Sequence, residues 1–347
     1  MVSLVAGIAA GLSRLGWGLP GANGALALAH GPLMVSGFFG TLIGLERAAA
    51  LKLRWVYTAP ALSGIGGLVL ILNLPTDIGA ALEAAGSGVF LAASLLIFGR
   101  QHELFNASLA LAAACWVVGN ALWLAGRAVP ELVLWWSLFL VLTIAGERLE
   151  LSRLLKPSSG ARAAFVAAVL VLLGSALVSL RQADVAWPIS GAGLLALALW
   201  LVRHDIARRI VKLMGGLPRF IAIALLSGYV WLAVAGVVAL AEPIITLPFA
   251  YDAALHALFL GFVFAMVFGH APIILPAVLR VPLDFHRSFY ANLGLLHASV
   301  LLRVIGDLLS WQEGRLYGGL LNAAAIVLFF GTMAMSIGRG GAKPLRS

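Results

Sequence analysis

Four histidines stand inside long apolar stretches of this 347-residue chain: His30, His256, His270 and His297. Ionisable side chains are uncommon in such stretches and usually face an interior site or a pathway. A neutral imidazole is also the commonest side-chain ligand for a metal, and two at matching depth are what an iron porphyrin takes on its two faces. His102, His204 and His286 stand beside charged residues in polar connectors and need no such role.

Whether these imidazoles can meet depends on the elements that carry them. Hydrophobic residues make up 62% of the chain and charged residues 11%, with mean hydropathy +1.04, the composition of an integral membrane protein. Apolar runs near the ~20 residues that cross a hydrocarbon core predict about twelve α-helices. They fall near 1–18, 25–45, 55–74, 78–98, 105–125, 132–149, 163–180, 185–203, 219–241, 251–275, 288–309 and 316–338. The runs are too long and unbroken for lipid-facing strands. The expected fold is therefore all-α, a polytopic bundle forming one transmembrane domain over 1–347. Segment 1 lacks the small-residue cleavage site of a signal peptide, so it counts as a span.

Charge gives the expected orientation. With the N-terminus inside, eighteen of the twenty-three Lys and Arg fall on the cytoplasmic side, among them Arg47, Arg148, Arg203, Arg208, Arg209, Lys212 and Arg280, with Arg339, Lys343 and Arg346 in the tail. This asymmetry predicts a bacterial inner-membrane protein with both termini cytoplasmic. The +9 net charge then reads as topology and attraction to anionic lipid. No basic stripe with interleaved aromatics points to nucleic acid. The single cysteine, Cys115, excludes an intramolecular disulfide.

An internal echo links segments 2 and 6, which end in Glu46-Arg47 and Glu147-Arg148 on the same expected face. It suggests three four-helix units in which segments 2, 6 and 10 hold equivalent places. The alternative is an ion pair at each helix end, which a charge near hydrocarbon calls for.

His30 and His256 each lie five residues in from the expected outer face, roughly 7–8 Å deep at ~1.5 Å per residue. Gly31, Gly37 and Gly40 on segment 2, with Gly261 on segment 10, could leave room for a flat macrocycle. Its propionates would need cations, and Arg303 in segment 11 and Arg14 in segment 1 lie toward that face. An ion pair from Arg303 to Asp307, one turn away, is the competing role. Asp252, four residues before His256, could accept the imidazole proton and fix the tautomer, or stand simply as an acid at a helix start. His270 is about 21 Å from His256 along one helix and cannot share its iron. With His297, and Met266 as a soft supplementary ligand, it could hold copper or a second haem, or the pair could line a proton path.

These residues carry a family resemblance. His30-Gly31-Pro32-Leu33-Met34 through Gly37-Phe38 resembles the His-Gly-x-x-Met helix that binds low-spin haem in the catalytic subunit of heme-copper oxidases, where three four-helix units and liganding helices 2 and 10 recur. Read together with Leu255-His256-Ala257-Leu258-Phe259-Leu260-Gly261, Phe268-Gly269-His270 and Leu302-Arg303-Val304, the set is more similar to the NnrS family of haem- and copper-containing membrane proteins associated with nitric oxide. The resemblance implies haem b held between helices 2 and 10 by His30 and His256, and copper as a further metal. It implies a role in nitric oxide-related binding or electron transfer with a redox partner, and, if the chain is an enzyme, a haem-dependent oxidoreductase. Segments 6 and 7 contain no histidine, which removes the oxidase's oxygen-reducing copper site. Segment 2 has His30 alone near its outer end, where that family usually has more than one. Two other classes compete: a proton-coupled transporter using the same histidines with Glu83, Asp252 and Asp307, and an accessory protein for haem or copper insertion.

Overall fold

The computed structural model describes residues 1–19, 24–241 and 249–341, with side chains to 337. The tail cations Arg339, Lys343 and Arg346 lie outside the described side chains. No strand occurs among the described residues, and each predicted span is met by a helix. These are α1 (Val2–Arg14), α2 (His30–Leu51), α3 (Thr58–Ile71), α4 (Thr76–Arg100), α5 (Leu104–Leu124), α6 (Val129–Ser152), α7 (Ser159–Ser179), α8 (Ala183–His204), α9 (Gly216–Ala241), α10 (Ala250–Leu279), α11 (Ser288–Leu308) and α12 (Gln312–Gly341). Among the described residues, ten helices are long and apolar enough to cross a membrane. The other two, α1 and α3, have 13 and 14 residues and fall short of the expected spans. A basic connecting helix, Ala207–Leu213, lies between α8 and α9.

Large apolar side chains stand exposed within the helices: Leu170, Leu177, Leu199 and Val230 are 60–62% exposed. Water would penalise such a surface and hydrocarbon does not, so this is a polytopic helical membrane protein.

The chain divides into two compact units, α1–α6 and α7–α12, rather than the three expected from the Glu-Arg echo. The echo survives at the helix ends. The chain leaves α2, α6 and α10 through Lys52, Lys156 and Arg280, each in the left-handed region with φ between 50° and 55°. Glycine is usual there; a cation instead meets the negative end of the helix dipole and the lipid headgroups. A shared terminating device repeats, but it does not make a packing unit.

Two of the spans are locally unwound. In α2, residues Leu33–Gly40 adopt π-helical turns directly after His30-Gly31-Pro32, and in α10, Ala257–Phe264 do so directly after His256. Such i→i+5 stretches are rare and concentrate at functional positions.

Packing rests on small residues, because between helices in lipid there is little apolar area to withdraw from water. The α8–α9 contact is the clearest case. A Cβ on Gly191 would lie 2.6 Å from both the Gly236 carbonyl oxygen and the Leu240 nitrogen, while one on Gly236 would lie 2.8 Å from the Gly191 oxygen. Both obstacles are backbone and cannot swing aside. Gly191→Val is therefore expected to destabilise the second unit by about 1–3 kcal/mol or more in a reversible unfolding titration in mixed micelles. Gly174→Ala, where nothing lies within 4 Å of the new Cβ, should leave the midpoint unchanged or raised.

Candidate functional site

In the first unit, His30 opens α2 and faces α1. Its Nδ1 donates to the Gly7 carbonyl at 2.7 Å. A carbonyl can only accept, so the proton sits on Nδ1 and the lone pair on Nε2, the tautomer in which imidazole ligates a metal. Glycines on α1 make the seat: a Cβ on Gly11 would come within 2.8 Å of the ring's Cε1, and one on Gly7 within 2.6 Å of the Met34 sulfur. The His30-x-x-x-Met34 spacing thus packs antiparallel onto Gly11 and Gly7. Arg14, at the last turn of α1, is exposed.

In the second unit, His256 has the same tautomer by a different route. Its Nδ1 donates to the Asp252 main-chain oxygen one turn back, at 2.7 Å. The carboxylate of Asp252, expected to receive this proton, is engaged elsewhere. It lies 3.5 Å from Arg303 Nη2 and 3.6 Å from Arg315 Nη2. Asp307 completes a quartet, with Oδ2 accepting from Arg303 Nε and Oδ1 from Arg315 Nε, both at 2.8 Å. Arg315 also donates to Gln312 at 3.1 Å and stacks 3.3 Å over the Phe249 ring. Arg303 is 3% exposed and Asp307 1%.

Two guanidiniums and two carboxylates sum to zero charge. The Arg303–Asp307 ion pair, posed against a propionate role, is thus what the structure holds, and a propionate would have to share an arginine already neutralised. Arg315 is the member that the sequence reading missed. The available signal was Asp307 itself, a buried acid needing more positive charge than Arg303 alone could give once Asp252 was counted.

The glycine gaps expected to admit a macrocycle are filled within each unit. A Cβ on Gly40 would collide with the Trp116 ring and one on Gly261 with Trp231, while Gly37 meets Ser3 at 3.2 Å and Gly31 meets Val129 at 3.4 Å. Interiors pack to crystal-like density, so a glycine notch attracts the bulkiest neighbour within reach.

His297 is fully committed. Its Nδ1 accepts from Trp231 Nε1 at 3.0 Å, so Nε2 carries the proton and donates to Ser227 Oγ at 2.8 Å. Both ring nitrogens of His297 are thus engaged within the second unit, one by an indole and one by a hydroxyl. His270 is held as His256 is, Nδ1 donating to the Met266 carbonyl one turn back at 2.7 Å, which puts the lone pair on Nε2. No three His, Cys, Asp or Glu side chains converge as a metal site among the described residues.

Sequence reasoning also missed a hydrogen-bond hub in the first unit. Asn120 Oδ1 accepts from Ser36 Oγ and from Trp136 Nε1, both at 2.9 Å, and Asn120 Nδ2 donates to the Glu83 main-chain oxygen at 3.1 Å. Trp116 Nε1 donates to Ser36 Oγ at 2.9 Å. Each group alone reads as an ordinary helix residue; only packing brings α2, α4, α5 and α6 to one point.

Over residues 1–337 the chain matches the family described as "Domain of unknown function (DUF8744)". The chain belongs to that family. No curated protein and no solved structure matches it. The family match spans both units, so quartet and hub lie within one family-wide stretch of sequence.

The quartet makes a stability prediction. Asp307→Leu leaves two buried guanidiniums sharing Asp252 alone, and should cost about 3–5 kcal/mol in the same unfolding titration. Glu131→Gln, which breaks the exposed 2.9 Å pair with Arg127, should cost less than about 1 kcal/mol. Equal small costs would mean the quartet contributes nothing to holding the unit together.

Proposed function

We propose that this DUF8744 protein is a haem-binding protein of the bacterial inner membrane, similar to the NnrS family, in which His30 and His256 would be the residues that hold haem. The supporting observations are a tautomer that they share, which His270 also has, and their place at the start of a π-helical stretch. Each Nδ1–H is held by a main-chain carbonyl at 2.7 Å, which directs the ligating lone pair to Nε2. Each also sits at the mouth of a π-helical stretch. The ligand chemistry fits haem; the glycine gaps and Arg303 are not part of this reading.

Haem, when bound, supplies an iron that exchanges electrons or takes a diatomic gas such as nitric oxide. The chain's residues fix how that iron is held. Gly7 and Asp252 orient the imidazoles through their carbonyls, and hydrogen-bonding the distal N–H raises the basicity of the ligating nitrogen. The quartet holds Asp252, and so the first turn of α10, in place. Asp252 and the quartet arginines act as positioning residues for His256.

A reduced-minus-oxidised visible spectrum of the purified protein tests the proposal. Wild type should show a low-spin b-type signature, lost in His30→Ala and in His256→Ala and kept in His102→Ala. A full low-spin spectrum in both intramembrane variants overturns it. Metal analysis of the same preparation reads any copper. The orientation belongs to this reading too: reporters fused at residue 347 and in the 127–131 loop should report cytoplasm and exterior respectively.

One observation favours the second reading, a proton-coupled transporter. Glu83 is wholly buried in the first unit, and neither carboxyl oxygen makes a hydrogen bond of good geometry among the described residues. No ion pair among the described residues includes it. A lone carboxylate in hydrocarbon costs several kcal/mol, so the group must take a cation, for which a proton suffices. Proton flux into proteoliposomes that falls in Glu83→Gln, from a preparation without a haem spectrum, would establish this class in place of the first.

A further inference from the structure

The connection between α8 and α9 builds a cationic cavity that neither reading uses. It has a volume of about 650 Å³ and is lined by Arg203, His204, Arg208, Arg209 and Lys212, with Leu155, Pro157 and Leu213 as its apolar wall. The one acid in its lining, Asp205, is buried and already spent. Its Oδ2 accepts from the Tyr229 hydroxyl at 2.6 Å and its Oδ1 from the Ala207 N–H at 2.7 Å, which caps the connecting helix. No ion pair among the described residues includes any of the four cations. Three arginines and a lysine therefore face one cavity with only the Asp205 carboxylate against them, which leaves the lining strongly cationic.

The rim decides what kind of anion fits. Leu213 is 81% exposed, Met214 beside it 51%, and Leu154, adjacent to the wall residue Leu155, 70%. A soluble phosphate would gain nothing from these side chains, whereas a phospholipid carries a phosphate and acyl chains on one molecule. The connecting helix joins the ends of two membrane spans, which puts cavity and rim at headgroup depth. We propose that this cavity binds the headgroup phosphate of an anionic phospholipid, with arginine forks on the phosphate and acyl chains along Leu154, Leu213 and Met214. Arginine suits this role because its planar fork meets phosphate oxygens two at a time.

Native mass spectrometry of the full-length protein, titrated in detergent with phosphatidylglycerol or phosphatidylcholine, tests the proposal. Wild type should retain phosphatidylglycerol at one high-affinity site and should not retain phosphatidylcholine there. The Arg208→Gln/Arg209→Gln variant should weaken that site about 30-fold, at the affinity expected per basic residue near a charged surface. Arg208→Lys/Arg209→Lys should fall between the two. The Arg54→Gln/Arg100→Gln variant removes the same charge from exposed positions in the first unit and should bind as wild type does. Unfolding midpoints of all variants separate lost binding from lost fold. Equal loss in both glutamine pairs would mean general charge attraction and overturn the site. So would equal retention of the two lipids, or complete displacement of the lipid by millimolar inorganic phosphate, which would make it a soluble-anion site.

Discussion

A charge buried in a protein interior must be neutralised by the groups packed around it. Asp307, 1% exposed, meets that requirement with two arginines at 2.8 Å, and these in turn require Asp252. Much of the second unit's geometry follows from this one demand. The network ties the first turn of α10 to α11 and to the start of α12. By fixing Asp252 it fixes the carbonyl that orients His256. A pair of buried ions is poor at adding stability but strict about geometry, because any other arrangement leaves a charge unpaired. Whatever His256 binds, its ring is aimed by electrostatics one turn away.

The first unit solves the same problem with neutral groups. Asn120 draws Trp136 of α6, Ser36 of α2 and the Glu83 carbonyl of α4 around one amide. His30 is oriented from α1, where glycines at 7 and 11 bring a carbonyl close enough to hold it. Glu83 is the exception in an otherwise satisfied interior. Its own carbonyl is bound by Asn120 while its carboxyl oxygens make no hydrogen bond of good geometry among the described residues. Natural cores seldom leave such a group idle, which is why it carries the transporter reading.

The unwound stretches of α2 and α10 join these two themes. Both start within three residues of an intramembrane histidine, and in both a glycine inside the stretch receives a tryptophan from a neighbouring helix of the same unit. Trp116 then donates to Ser36 and Trp231 to His297. The indoles occupy the space that glycine spacing alone suggested for a cofactor, and they use their N–H groups to tie polar side chains that would otherwise be buried unpaired.

The sequence by itself determined the fold class, the approximate positions of the ten membrane-length helices among the described residues and which polar residues lie inside them. Hydrocarbon imposes length and apolarity on each span separately, and that information is local. It also marked the pairing of Arg303 with Asp307, since an i,i+4 spacing puts both on one helix face. Only the tertiary structure decided the rest. Arg315 joined the quartet because the α11–α12 turn folds it back, and Asp252 gave its carboxylate to the arginines while its main-chain oxygen took the histidine. His297 was claimed by Trp231 and Ser227, and the glycine notches by indoles. The four cations around Asp205 became one cavity because a seven-residue helix turns them together. Each of these outcomes is a competition among partners brought close by packing, and a linear sequence names the competitors without setting their distances.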